Sequence, residues 1–242
     1  MRAIVCGANG AMGKLIQASL GEDRIAGLVS LDGENGVPKT FAELGPCDAD
    51  AIIDFSHHSA VGAVMDYAKA NRIAVVVGTT GHTAEEKEII FEAAKHIPVF
   101  YSGNMSLGIA VLCRLAKQAA AAFPDADIEI VEIHHIRKVD APSGTAKMLF
   151  EAVKEVRPNA VANCGRAGEG KRTKEEIGIS ALRMGNVVGI HEVHICTPSQ
   201  TLTLRHEAAN RAMFADGAVA AAEFVAGKAP GLYNMEDFLS EK

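Results

Sequence analysis

Residues 1–14 read Met1-Arg2-Ala3-Ile4-Val5-Cys6-Gly7-Ala8-Asn9-Gly10-Ala11-Met12-Gly13-Lys14, and the reading of this stretch decides the fold. Ala3–Cys6 is a short apolar run with two β-branched residues, the texture of a strand buried on both faces. Glycines then recur three apart, Gly7-x-x-Gly10-x-x-Gly13, as the pattern turns helical over roughly 11–20. Glycine lets the backbone approach a pyrophosphate closely, while the helix start supplies unpaired N–H groups and positive potential. Bare glycine spacing also fits an ordinary strand-to-helix turn. Its place between a strand and a helix, at the start of a βαβ unit, favours the dinucleotide reading.

The pattern repeats outward from this loop. Ile25–Val29, Ala51–Phe55, Ala74–Gly78 and Pro98–Tyr101 read as further strands, with helical stretches at roughly 59–70 and 83–96. Thr83-x-x-Glu86 reads as a capping box opening the latter. Near-continuous apolar strands separated by helices predict a parallel sheet covered on both faces, with right-handed crossovers. Asp32 follows the second strand, where an acid hydrogen-bonds the hydroxyls of an adenosine ribose. Its neighbour Gly33 offers no guanidinium for a 2′-phosphate, which tilts the reading toward NADH over NADPH, although Lys39 is close enough in sequence to reach across. Gly78-Thr79-Thr80-Gly81 and Ser102-Gly103-Asn104-Met105 end two other strands, at the sheet edge where ligands bind in open α/β folds.

Past residue 104 the texture changes. A helix over Leu107–Phe123 leads to a strand at Asp127–His135 and a helix at Thr145–Val156. A glycine- and charge-rich segment, Asn163–Glu176, follows, and its Gly165–Arg172 stretch reads as a solvated loop, or as a segment that closes over the substrate or packs at a subunit contact. Three runs at 177–184, 187–197 and 200–207 read as an antiparallel meander, and a last helix at about 211–227 returns to the first half. The expected class is α/β: an N-terminal Rossmann-like parallel-sheet domain, 1–104 with 211–242, joined to a C-terminal α+β domain, 105–210, for substrate binding and oligomerisation.

Bulk properties exclude several classes. The 242 residues are 48% hydrophobic and 22% charged, enough for real cores and too apolar for disorder. A formal charge of -6 with no tryptophan and three tyrosines argues against nucleic acid and anionic membranes as partners. The longest apolar stretch, 109–123, is broken by Arg114 and Lys117, so no membrane span is expected. Five scattered cysteines with no C-x-x-C pair fit a reducing compartment, and Met1 runs directly into a strand with no secretory pattern, so a cytoplasmic location is expected. His191-x-x-His194 lies on a predicted strand, where an odd offset separates the side chains, and no metal site is expected.

The chemistry gathers in one run, Glu129-Ile130-Val131-Glu132-Ile133-His134-His135-Ile136-Arg137-Lys138-Val139-Asp140-Ala141-Pro142-Ser143-Gly144-Thr145-Ala146. Two histidines, two cations and a carboxylate fall within seven residues at a strand end, just before a helix opened by Ser143-Gly144-Thr145. Backbone N–H groups and hydroxyls at such a helix start suit a carboxylate, Lys138 adds charge, and a histidine or lysine there can pass a proton. A structural role for one histidine is the alternative, since adjacent strand residues point to opposite faces.

This run resembles the signature of the dihydrodipicolinate reductase family, E-[IV]-x-E-x-H-H-x-x-x-K-x-D-x-P-S-G-T-A, at each fixed position from Glu129 to Ala146. The likeness extends over the glycine loop, Gly78–Thr80, Ser102–Met105, Gly165-Arg166-x-Gly168, Ala181–Arg183, Arg211 with Phe214–Ala218, and the tail Gly231–Met235. The resemblance implies a Rossmann domain joined to a substrate domain whose sheets assemble a homotetramer. It implies reduction, by NADH or NADPH, of the 4-hydroxy imino diacid 4-hydroxy-tetrahydrodipicolinate to tetrahydrodipicolinate with loss of water, in lysine biosynthesis by way of diaminopimelate. His134 would then be the proton donor/acceptor, Lys138 a proton donor, and His135, Gly144 and Thr145 the binders of substrate carboxylates. Gly7, Ala8, Asn9, Gly10, Ala11, Met12, Asp32, Gly78, Thr79, Thr80, Ser102, Gly103, Asn104 and Met105 would contact the cofactor. Two departures stand out: Gly189-Ile190-His191 where many relatives carry Gly-Glu-His, and Gly33 where an arginine is frequent. A dehydrogenase acting on aspartate or a related amino acid, and a nucleotide-binding sensor without catalysis, are the competing readings. The E-x-H-H…K-x-D-x-P-S-G-T run argues against the first, and the presence of both His134 and Lys138 argues against the second.

Overall fold

The structure, a computed structural model, describes residues 1–241. Its first stretch runs β1 (Ala3–Cys6), α1 (Ala11–Leu20), β2 (Ile25–Val29), α2 (Phe41–Leu44), β3 (Ala51–Asp54), α3 (Val61–Asn71), β4 (Ala74–Val77), α4 (Ala84–Ala94) and β5 (Pro98–Tyr101). Next come α5 (Leu107–Ala122), β6 (Asp127–His134), α6 (Gly144–Lys154), β7 (Val161–Cys164), β8 (Glu176–Arg183), β9 (Ile190–Thr197) and β10 (Gln200–Glu207). The chain closes with α7 (Ala212–Val225), β11 (Gly231–Tyr233) and α8 (Met235–Ser240). It divides into two compact units, Met1–Ser106 with Arg211–Lys242, and Leu107–Asn210.

The first unit is a parallel six-stranded sheet in the order β11-β5-β4-β3-β1-β2. Strand order reverses at β1, which lies between β3 and β2, so a crevice opens above the carboxyl ends of β1 and β3. β1, β3 and β4 are buried along their whole length, as their unbroken apolar runs require. Ile4, Ile52, Val75 and Val99 from the sheet meet Val64, Met65 and Ile90 of α3 and α4 in one core. The expected capping box forms at α4: Thr83 accepts from Glu86 N, and Thr83 N donates to the Glu86 carboxylate at 2.8 Å. Three short elements, α2, β11 and α8, lie outside the expected set. β11 pairs parallel with β5 as an edge strand, and α8 opens on its own capping box at Asn234.

The second unit is a five-stranded mixed sheet, order β10-β9-β6-β8-β7. The expected meander of three sequential strands is corrected here. Only β9 and β10 form an antiparallel hairpin; β6 sits between β8 and β9, parallel to the first and antiparallel to the second. The reason lies in β6 itself. Its strictly alternating burial gives it an apolar face, Ile128 and Ile130, that takes the centre of the sheet beneath α5 and α6. β7, which runs into the start of the segment read as glycine-rich and charged, pairs parallel with β8 at the edge.

Candidate active site

At the carboxyl edge of the first sheet, the glycine loop is shaped by backbone contacts. Gly7 holds φ 84°, and a Cβ there would lie 2.3 Å from Phe55 O. A Cβ on Gly13 would fall 2.1 Å from Gly7 O, so only glycine seats α1 this close to the loop. Gly7 N and Ala8 N both donate to Val29 O, tying the loop to β2. α4, α6 and α8 start with side-chain caps, whereas α1 starts at Gly10 with none, which leaves its first N–H groups open to an anion. Asn9 Nδ2 donates to Asp32 Oδ1 at 2.6 Å and Glu34 N donates at 3.0 Å. These two bonds, the Asn9 one first, hold the exposed Asp32 carboxyl below its usual range. An open helix start beside a fixed carboxylate fits a pyrophosphate and a ribose diol.

The other cofactor candidates sit on the same edge, and some of their side chains are already engaged. Thr79 is buried, its Oγ1 donating to Asp54 Oδ2 at 2.9 Å and accepting from Ser56 N, so its hydroxyl faces inward while Thr80 is exposed. Burial holds the Asp54 carboxyl above its usual range despite these bonds. Met105 is buried, and a Cβ on Gly217 of α7 would lie 1.7 Å from Met105 O, so the helix fits directly against this turn. Beyond β2, Gly33 holds φ 64°, and its absent Cβ leaves the berth for the Lys39 side chain, whose Cε would lie 2.3 Å away. That lysine places a cation over the position where an arginine is lacking.

In the second unit the alternation of each strand brings distant residues to one face. Glu132 and His134 of β6, Arg183 of β8 and His191 of β9 lie on the helix-covered face, at one end of the sheet, with the start of α6 beside them. Glu132 is fully buried and accepts four hydrogen bonds: Arg183 Nη1 at 2.7 Å and Nη2 at 2.8 Å, His134 Nδ1 at 2.6 Å and Ser143 N at 2.9 Å. Desolvation alone would raise its pKa; the Arg183, His134 and Ser143 bonds outweigh it and keep the carboxyl below its ordinary range. His134 is also held below its ordinary value, by burial first and by the charges of Lys138 and Arg183, against the pull of Glu132. Its imidazole is therefore neutral at rest, with Nδ1 on Glu132 and Nε2 on the side of Gly189, where an added Cβ would lie 3.1 Å away.

Ser143 caps α6, accepting from Ala146 N at 3.1 Å, and lies 3.1 Å from His191 Nε2. His191 packs edge-on against His134 with ring centroids 5.1 Å apart, and burial followed by the nearby His134 pushes its pKa down to about 4. Gly144 is exposed, with open space where a Cβ would stand. Lys138 Nζ donates to both Asp140 oxygens at 2.8 and 3.0 Å. His135, which follows His134 in the chain, keeps Nδ1 buried without a hydrogen-bond partner.

The five substrate-side candidates, His134, His135, Lys138, Gly144 and Thr145, thus come from one strand end, one loop and one helix start of this unit. Sequence reasoning assigned no role to Glu132, Arg183 or His191, and misread the pairing that joins them. The strand alternation of Glu132 with His134 was the visible signal. Among the described residues, no group of three or more His, Cys, Asp or Glu side chains is placed to hold a metal ion, and no helix is long and apolar enough to cross a membrane. His194 contacts Glu192 and Thr203, away from His191.

Both halves of the chain match known proteins. Residues 1–105 match the family model described as dihydrodipicolinate reductase, N-terminus, and residues 108–239 match dihydrodipicolinate reductase, C-terminus. The 4-hydroxy-tetrahydrodipicolinate reductase of Clostridium novyi is 41% identical over 249 residues, covering 100% of this chain and 99% of that protein. The enzyme of the same name from Caulobacter vibrioides is 43% identical over 253 residues, covering 100% and 98%. Among solved structures, a dipicolinate-bound dihydrodipicolinate reductase from Paenisporosarcina shares the fold with TM-score 0.76 at 24% identity, covering 97% of both chains. With both halves matched in order over nearly the whole length, the chain belongs to the dihydrodipicolinate reductase family.

Proposed function

We propose that the protein is a nicotinamide-dependent 4-hydroxy-tetrahydrodipicolinate reductase, removing the hydroxyl as water in the diaminopimelate route to lysine. The observation that carries this reading is the folding of the 129–146 run into one site: a neutral His134 held by Glu132, a charged Lys138, and the start of α6 beside them. A dicarboxylate fits this chemistry. Gly144 and Thr145 present backbone N–H groups at a helix start, and His135 adds a ring with an unsatisfied nitrogen.

The residues divide the proton work. Lys138 brings a proton and a positive charge to where negative charge develops. His134 accepts or returns a proton at Nε2. A bound dianion favours its charged form, and Glu132 is placed to stabilise that charge. The departing hydroxyl needs one proton to leave as water, and these two groups supply the route.

The cofactor residues proposed are Gly7–Met12, Asp32, Gly78–Thr80 and Ser102–Met105. When bound, the nicotinamide dinucleotide supplies the hydride. The open start of α1 would hold its pyrophosphate and Asp32 its adenosine ribose. NADH is the preferred form in this reading, because Asp32 accepts from a 2′-hydroxyl and repels a 2′-phosphate. Lys39 is the cation that admits NADPH. A cytoplasmic homotetramer is also proposed. The helix-free face of the second sheet, with Leu182 41% exposed beside Val131 and Ile133, is the apolar surface such an assembly would cover.

The test mixes the protein with NADH or NADPH and freshly made 4-hydroxy-tetrahydrodipicolinate and follows nicotinamide absorbance. Oxidation that falls roughly 10²–10⁴-fold in His134→Gln and Lys138→Met supports the reading. Turnover only with aspartate, or oxidation indifferent to both substitutions, rejects it.

A further inference from the structure

The mechanism above has Glu132 stabilise a charge on His134, but it gives no work to Arg183 and leaves unexplained why Glu132 is so heavily bonded. A buried carboxylate with four hydrogen-bond donors is a costly arrangement to keep, since removing it from water penalises its charge before its partners compensate. The fold commits three separate elements to it: the β6 neighbour His134, Arg183 on β8 in direct register with His134, and the first N–H at the start of α6.

We propose that Glu132, clamped by Arg183, is a positioning residue that fixes the tautomer of His134, holding the proton on Nδ1 so that Nε2 is the nitrogen that exchanges protons with the substrate. The inference rests on the reading of His134 as the proton-transfer residue.

The geometry leaves Glu132 little freedom. Both guanidinium nitrogens of Arg183 grip the two carboxylate oxygens side by side, and Arg183 is itself tied to the carbonyls of Leu182 and Asp140 at 2.7 Å each. Oε2 then has a fixed direction, and His134 Nδ1 lies 2.6 Å along it. Because the Arg183 and Glu132 charges cancel, an acceptor remains for Nδ1–H without an excess negative charge that would keep the imidazole permanently protonated. The charged and titratable groups around His134 are Glu132 on its own strand, Arg183 from β8, His191 from β9, and Lys138 with its partner Asp140 from the following loop. His206 of β10, in register with His191, stands behind it. Of these, Glu132 is the one that hydrogen-bonds the ring. The same carboxylate holds Ser143 N through Oε1, so one group sets both the working nitrogen and the helix start proposed to bind the substrate.

Two measurements test this. The first needs no variant: ¹⁵N spectra of the full-length protein labelled at histidine, with His134 assigned by its loss in His134→Gln. The expected result is a protonated, pyrrole-like Nδ1 and a pyridine-like Nε2 at neutral pH; the reverse pattern, or rapid averaging of the two, overturns the proposal. The second is Glu132→Gln, whose side-chain carbonyl can still accept from Ser143 N while its amide donates toward His134 and reverses the tautomer. kcat falls by about 10²-fold or more, with KM within about 3-fold of the parent and the pH profile altered. Glu132→Asp restores the profile in part, which a merely structural role would not produce. If His134→Gln lowers kcat while Glu132→Gln leaves kcat, profile and tautomer unchanged, the Glu132 inference fails and the functional reading stands. If His134→Gln itself is without effect, the functional reading fails first.

Discussion

Replacing Gly13 by alanine, and separately Gly62 by alanine, sets one chemical change against two environments. Both glycines lie in the first turn of a helix, Gly13 in α1 and Gly62 in α3. A methyl group on Gly62 meets nothing within 4 Å. There the change is governed by backbone entropy and helix propensity, and Gly62→Ala should stabilise by about 0.5–1 kcal/mol. A methyl group on Gly13 falls 2.1 Å from Gly7 O, 2.8 Å from Ala8 Cα and 2.9 Å from Ala8 C. All three are backbone atoms, so no side chain can swing aside. Reaching ordinary contact requires α1 to move off the loop by about 1 Å, at an overpacking cost of roughly 1–3 kcal/mol that exceeds the propensity gain. The movement also carries the open helix start away from the pyrophosphate position, so NADH affinity should fall along with stability. Thermal unfolding followed by circular dichroism, with NADH fluorescence titrations, reads both effects. A Gly13→Ala protein that melts at or above Gly62→Ala and binds NADH like the parent would refute the close seating of α1 and the anion site built on it.

Acid sensitivity should centre on His191. Its folded pKa of about 4 lies below the ordinary value of 6.5, so between these values the unfolded chain holds a proton that the folded chain does not. Stability from this group is therefore complete above pH 6.5 and is lost as pH falls toward 4, by up to about 3 kcal/mol. His191→Gln should flatten the acid limb of the melting temperature against pH; an unchanged limb would show that the ring is not held neutral. At the adenosine end, Lys39→Ala should weaken binding of 2′,5′-ADP roughly tenfold, the worth of one charge-assisted contact, and leave 5′-AMP unaffected. Equal loss for both ligands in calorimetry would remove Lys39 from the selection between NADH and NADPH.

The legible parts of the fold were those whose determinants are close in sequence. Strand β1, its glycine turn and α1 follow one another within twenty residues, and the Thr83–Glu86 box needs only one helical turn. Long-range pairing was less readable. Nothing local tells β8 to pair with β6, Ile128 beside Ile177 and His134 beside Arg183, because both are compatible with several neighbours; the choice is made by the apolar face of β6 under α5 and α6. The same holds for the site. The 129–146 run was visible as a dense polar cluster, but Arg183 and His191 join it only once the sheet order is set. β11, three residues long, gives no periodic signal at all and exists because β5 offers it an edge.

The discontinuity of the first unit has a consequence for biosynthesis. The six-stranded sheet is finished by β11, and its β3–β5 region packs against α7, both made from the last part of the chain. A ribosome that has just released residue 106 therefore holds an incomplete layer whose apolar side still awaits a helix about a hundred codons downstream. The inserted unit, encoded without interruption, can finish while still tethered to the ribosome. Its completion precedes the closure of the cofactor half, so a translation product stopped short of α7 would retain a finished substrate half and an exposed, chaperone-dependent dinucleotide half.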